Sequence, residues 1–202
     1  MRIGLDFDNT IVSYDALFYS VARERNMLPQ ELSISKLAVR DYLRSIGDED
    51  AWTELQGYVY GARMDEAAIY PGVIDFLRWA RSVKHDLAII SHKTKQPYRG
   101  APYDLHASAR AWIEKHLNEA GEALLPPSQV YFEVSKEAKL ARILEFGCAV
   151  FIDDLPEILL AEAFPKNTSP VLFDPEGNHE GDSLPGITIV RTWDRFAHIL
   201  TQ

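Results

Sequence analysis

A single cysteine, Cys148, occurs in the 202 residues of this chain. That excludes an internal disulfide and with it any need for an oxidising compartment. Positive charge is also scarce, with 21 Lys and Arg against 30 Asp and Glu and a formal net charge of −9. Nucleic acid and anionic membrane surfaces both demand a surplus of cationic side chains, so neither is expected as a partner. No apolar run approaches the ~20 residues of a membrane-spanning helix. The first apolar stretch is broken by Asp6, too early for a signal-peptide core, which predicts a cytoplasmic protein. Internal repeats and low-complexity segments are missing too. What remains, 47% hydrophobic and 25% charged residues, is the composition of one sizeable globular domain with room for a small insertion.

Short apolar runs each precede a stretch of helical period. The runs are Arg2–Phe7, Asp86–Ser91, Val130–Val134, Ala149–Asp153, Pro170–Phe173 and Ile187–Val190. Near-continuous apolar runs of this length suit strands covered on both faces. Helical faces follow at Val73, Phe76, Leu77 and Ala80 after Pro71-Gly72, and at Leu140, Ile143 and Leu144 before Gly147. A third runs through Leu159, Leu160, Ala163 and Phe164 after Pro156. The alternation predicts an α/β fold on a parallel sheet with right-handed crossovers. Residues 13–69 break it, with three helical patterns and no strand, and read as a helical insertion after the first strand. Asp174–Pro185 reads as a polar loop, including its alternating acids Asp174, Glu176, Glu180 and Asp182.

Chemistry concentrates at the strand ends. The first strand runs into Asp6-Phe7-Asp8-Asn9-Thr10, and period two puts Asp6 and Asp8 on the same side. A buried unpaired carboxylate is costly and calls for a proton or a cation; helix capping by Asp8, Asn9 or Thr10 is the plainer alternative. The fourth strand ends in Asp153-Asp154, where one N-cap and one solvated acid is the competing reading. If the two strands are neighbours, four carboxylates meet at one edge, and hard oxygen donors favour Mg²⁺. The second strand ends in Ser91-His92-Lys93-Thr94, a hydroxyl and backbone N–H groups at a strand-to-helix turn, which suits phosphate. Lys93, Lys95, Arg99 and Arg110 form a local basic run that reads either as a solvated face or as a grip for a second anionic group. After the third strand come Lys136 and Lys139; a lysine in a first helical turn opposes the helix dipole, so Lys136 makes sense if it faces the carboxylates or a bound phosphate.

In this order, Asp6-Phe-Asp-Asn-Thr10, Ser91, Lys136 and Asp153-Asp154 resemble the four motifs of the haloacid dehalogenase-like superfamily of phosphohydrolases. Tyr70-Pro-Gly-Val-Ile-Asp-Phe-Leu leading into Leu87-Ala-Ile-Ile-Ser is similar to that family as well. The likeness spans residues 1–12 and about 70–165. It implies a Rossmann-like core of residues 1–12 and 70–202 flanked by helices, with residues 13–69 as an inserted helical cap able to enclose a small substrate. It implies that Asp6 is the nucleophile and Asp8 the acid and base. Mg²⁺ would be held by Asp6, the Asp8 backbone carbonyl and Asp154, with Asp153 assisting. Thr10, Ser91, His92 and Lys136 would serve the substrate side; Lys139 competes with Lys136, which lies closer to the strand end. Having Asp8 separates the chain from members that break carbon–halogen bonds. The expected activity is a Mg²⁺-dependent phosphatase acting on a small phosphomonoester, of the nucleotide or sugar phosphate class. A phosphotransferase or mutase with the same aspartyl-phosphate, a signalling receiver domain and a silent phosphate-binding protein are the alternatives.

Overall fold

The apolar runs become strands in the computed structural model, which describes residues 1–179 and 181–201. In chain order the strands are β1 (Arg2–Leu5), β2 (Val12–Ser13), β3 (Ala68–Ile69), β4 (Asp86–His92), β5 (Asn118–Glu119), β6 (Glu122–Ala123), β7 (Val130–Glu133), β8 (Val150–Asp153), β9 (Ser169–Phe173) and β10 (Thr188–Val190). The helices are α1 (Asp15–Glu24), α2 (Lys36–Ser45), α3 (Glu49–Gly61), α4 (Val73–Ser82), α5 (Leu105–His116), α6 (Lys136–Phe146), α7 (Pro156–Leu159) and α8 (Trp193–Ile199). Among the described residues, no helix is long and apolar enough to cross a membrane.

Six strands form one sheet in the order β10-β9-β8-β1-β4-β7, with every neighbouring pair parallel. The first and fourth runs are therefore neighbours, as the carboxylate argument requires. Ile3, Leu5, Ile89, Ile90, Phe151 and Ile152 are fully buried, which is why these strands read as continuous rather than alternating apolar runs. On one face, Ala88, Ile90, Phe151 and Leu172 pack with Leu140 and Ile143 of α6 and Ile158 and Leu159 of α7. Gly4 faces this packing: a Cβ there would stand 2.5 Å from the Phe151 ring and 2.7 Å from Cys148 Sγ. Elsewhere Phe76 of α4 meets Trp193 and Phe196 of α8, both at 5.0 Å between ring centroids. Each such buried aromatic contributes on the order of 2–3 kcal/mol.

Helix boundaries follow local chemistry. Ser35 caps α2 by accepting from Leu37 N and Ala38 N, and Ser135 caps α6 by accepting from Ala138 N. Gly147 ends α6 in the left-handed region, at φ 70°, where glycine carries no Cβ penalty. The stretch after Pro156 is shorter than its apolar pattern predicts. It closes at Leu159 and passes into turns through Ala161 N to Ile158 O and Phe164 N to Ala161 O, and Leu160 stands exposed. Within the polar loop, Asp174 accepts from Asn178 N and His179 N, both at 2.9 Å; Glu180 lies outside the described residues.

Contacts within the chain divide it into two units. The sheet unit comprises 1–11, 69–93 and 117–202, and the helical unit 12–68 together with 94–116. The helical unit buries Phe18 and Val21 of α1, Val39 and Leu43 of α2, and Trp52, Leu55 and Val59 of α3. Segment 94–116, expected from the sequence within the core, groups with these helices instead. Trp112 of α5 is buried and donates from Nε1 to Ala67 O at 2.9 Å. Gly61 of α3 lets Tyr103 approach so closely that a Cβ would lie 2.3 Å from its ring.

Candidate active site

β1 delivers Asp6 to the carboxyl edge of the sheet, its N–H donating to Ile152 O at 2.9 Å in continuation of the ladder. Phe7 then turns into the core against Phe132, with 5.5 Å between ring centroids, so that Asp6 and Asp8 share the other side. Asn9 adopts φ 57°, a left-handed conformation that its short polar side chain tolerates better than most. From there Asn9 Nδ2 donates to Asp154 Oδ2 at 3.2 Å, tying this loop to the end of β8. Thr10 is buried, with Oγ1 at 3.5 Å from Asp6 Oδ2. Its carbonyl accepts from Trp193 Nε1 at 3.2 Å.

The centre of the cluster is Lys139. Only 1% exposed, its ammonium donates to Asp6 Oδ1 and to Asp153 Oδ2, each at 2.6 Å. Asp153 also accepts from Leu155 N through Oδ1 at 3.0 Å. Asp6, Asp153 and Asp154 each offer a carboxylate oxygen, all within 4.8 Å of one another. Beside them Lys93, 4% exposed, donates to Asp8 Oδ2 at 2.6 Å. Ser91 is buried at the end of β4, the strand adjoining β1.

Burial is the largest influence on Asp6 and raises its carboxyl; Lys139 opposes this, while the Asp153 charge adds to it, and the result is pushed up to about 7. Burial works against the Lys139 ammonium, but Asp153 and Asp6 outweigh it and hold the lysine above its ordinary value. His92, half-buried, is lowered first by burial and then by the charges of Lys139 and Lys136, against a hydrogen bond with the Val134 backbone. Four carboxylates face two buried ammonium groups here, a formal surplus of two negative charges. A divalent cation would close that deficit, and a donor set of hard oxygens fits magnesium. The Asp8 carboxylate is not one of the three converging groups and is held by Lys93 instead.

The two candidate lysines lie in very different surroundings. Lys136, favoured from the sequence, has a side chain 49% exposed and pairs with Glu157 at the surface. It is the first residue of α6 and projects outward, whereas Lys139, whose N–H bonds back to Ser135 O, comes round one turn later between Asp6 and Asp153. A signal was present: Lys139 shares its helical face with the buried Leu140 and Ile143, and a charge within a buried stripe needs a partner. Sequence reasoning also placed Lys93 in a solvated or second-anion run, although strand alternation puts it on the same side as Ser91. No local pattern pointed to Asn9 as a tie to Asp154 or to Trp193 as a prop for Thr10.

No protein-family model matches the chain, and no curated protein matches it by sequence. Solved structures match it in fold. A haloacid dehalogenase-like (HAD) family hydrolase from Deinococcus radiodurans R1, with bound phosphate and sodium, has a TM-score of 0.59 at 16% identity, over 99% of this chain and 94% of that one. A phosphoserine phosphohydrolase-like protein from Francisella tularensis subsp. tularensis SCHU S4 has a TM-score of 0.60 at 12% identity, covering 98% and 99%. A HAD phosphatase from Thermococcus onnurineus has a TM-score of 0.55 at 17% identity, covering 98% and 97%. The six-stranded parallel sheet flanked by helices is the HAD fold.

Proposed function

We propose that this chain, built on the HAD fold, is a magnesium-dependent phosphatase that hydrolyses a small phosphomonoester through an aspartyl-phosphate on Asp6. One observation carries the reading: Asp6, directly after β1, is lodged between Lys139 and the converging Asp153 and Asp154, with Asp8 two residues on. Fold alone does not determine chemistry, but this set of side chains is what phosphoryl transfer needs. An Asp6 oxygen bonds to phosphorus as the bond from phosphorus to the ester oxygen breaks, and that oxygen takes a proton from Asp8. Water then gives a proton to Asp8 and bonds to phosphorus, releasing phosphate and restoring the Asp6 carboxylate.

Lys139 takes the role expected of Lys136, holding Asp6 and Asp153 and offsetting charge at the approaching phosphate. Ser91 and His92 at the end of β4 serve the phosphoryl oxygens, and Thr10 supports the nucleophile. Magnesium would be held by Asp6, Asp154 and the Asp8 backbone carbonyl, and supplies charge neutralisation that lets a carboxylate approach an anionic ester. Asp153, with one oxygen on Lys139 and the other on Leu155 N, assists rather than ligates directly. Nucleotides and sugar phosphates both suit the reading, and the phosphate-bearing neighbour from Deinococcus is in keeping with it.

The test is phosphate release from a panel of phosphomonoesters, with and without Mg²⁺, for the wild type and Asp6→Asn. Metal-dependent turnover that disappears in the variant is expected. Turnover that survives Asp6→Asn, or no Mg²⁺ binding by the wild type, overturns the reading.

A further inference from the structure

Lys93 is a second buried ammonium that the mechanism above does not use. Taking such a group out of water costs several kcal/mol unless a partner is well placed, so its position needs a reason. The reason is Asp8, whose Oδ2 lies 2.6 Å from Lys93 Nζ. The two residues are anchored very differently. Lys93 extends the pairing of β4 with β7, its N–H donating to Glu133 O at 2.8 Å, and its ammonium sits 5.7 Å from the centroid of the buried Phe7 ring. Asp8 stands past the end of β1, on a loop that turns through the left-handed Asn9. A carboxyl on such a turn needs an external hold to point one way, and the sheet provides it through Lys93.

We infer that Lys93 is a positioning residue that acts through Asp8, holding its carboxyl where the leaving oxygen of the substrate will be. This rests on the reading of Asp8 as the proton donor. The consequence is a leaving-group dependence. An alkyl phosphate expels a basic alkoxide and depends on a well-placed acid, whereas p-nitrophenyl phosphate expels a stable phenolate and depends on one little. The parameter kcat/KM reports steps only up to release of the alcohol, so it excludes hydrolysis of the aspartyl-phosphate, in which Asp8 acts on both esters alike.

The experiment measures kcat/KM for an alkyl phosphate and for p-nitrophenyl phosphate in the Mg²⁺-loaded wild type, Lys93→Met, Asp8→Asn and the double variant. Lys93→Met should lose on the order of tenfold more on the alkyl ester than on p-nitrophenyl phosphate. In the Asp8→Asn background the same substitution should have little further effect, since its route is already removed. Equal losses on both esters, or a full loss added on top of Asp8→Asn, overturn the inference and make Lys93 a ligand of the phosphoryl group or a purely structural ion. Lys93→Arg, which keeps the charge with a different reach, replaces Lys93→Met should that variant not fold. A wild type that releases phosphate from neither ester refutes the proposed function itself; a wild type that turns over both while Lys93→Met shows no ester preference refutes only the role of Lys93.

Discussion

Replacing Lys139 and Lys136 separately by methionine tests which lysine belongs to the cluster. Lys139→Met leaves Asp6 and Asp153, both buried, without their shared ammonium. Methionine keeps most of the stem's volume, so the cost is electrostatic rather than that of a cavity. Breaking a buried pair from one side costs about 3–5 kcal/mol, a large part of the ~5–15 kcal/mol by which a domain is stable. Lys136→Met breaks an exposed pair with Glu157, worth less than about 1 kcal/mol.

The Lys139 loss also carries a pH signature. With the lysine present, burial already raises Asp6 from an ordinary 3.8 to about 7, and without it the carboxyl rises further. An acid whose folded pKa exceeds its unfolded one takes up protons on folding, so stability falls as pH rises between the two values and levels off above the folded one. In the wild type that fall ends near 7; in Lys139→Met it continues to higher pH. The gap between them should therefore be wider at about pH 8.5 than at about pH 5.5. Urea unfolding followed by tryptophan fluorescence, with EDTA present throughout, measures it. Equal costs for the two lysines, or a Lys139 cost that does not change with pH, would refute the reasoning.

Magnesium competes with a proton for Asp6, so its affinity by titration calorimetry should drop by up to about tenfold per unit as pH falls below about 7; an affinity that stays constant there removes Asp6 from the ligands. Gly4→Ala places a methyl 2.5 Å from the Phe151 ring and 2.7 Å from Cys148 Sγ. It should cost about 1–3 kcal/mol in chemical unfolding, and an unchanged midpoint would mean that this face of the sheet packs more loosely than described.

What the sequence determined by itself was everything dictated by neighbours along the chain. Apolar runs bounded by helical periods mark a parallel sheet, because strands buried on both faces cannot carry alternating polar residues. Asp6 and Asp8 fall on one side because a strand has period two, and caps such as Ser135 and Gly147 bound their helix through bonds made within a few residues. Tertiary structure alone decided which distant groups meet. Lys136 and Lys139 are both near the end of β7, and only the placement of α6 over the sheet selects the one a turn further on, whose burial Asp6 and Asp153 make tolerable. In the sequence Lys93 belongs to a basic run that reads as a solvated face or as a grip for a second anion; the adjacency of β1 and β4 sets it against Asp8. Segment 94–116 follows a strand in sequence yet packs with the inserted helices, through a tryptophan bonded to a carbonyl 45 residues away. Local geometry is written in short-range periodicity; the pairing of buried charges depends on which strands and helices become neighbours, and that is settled only when the whole chain packs.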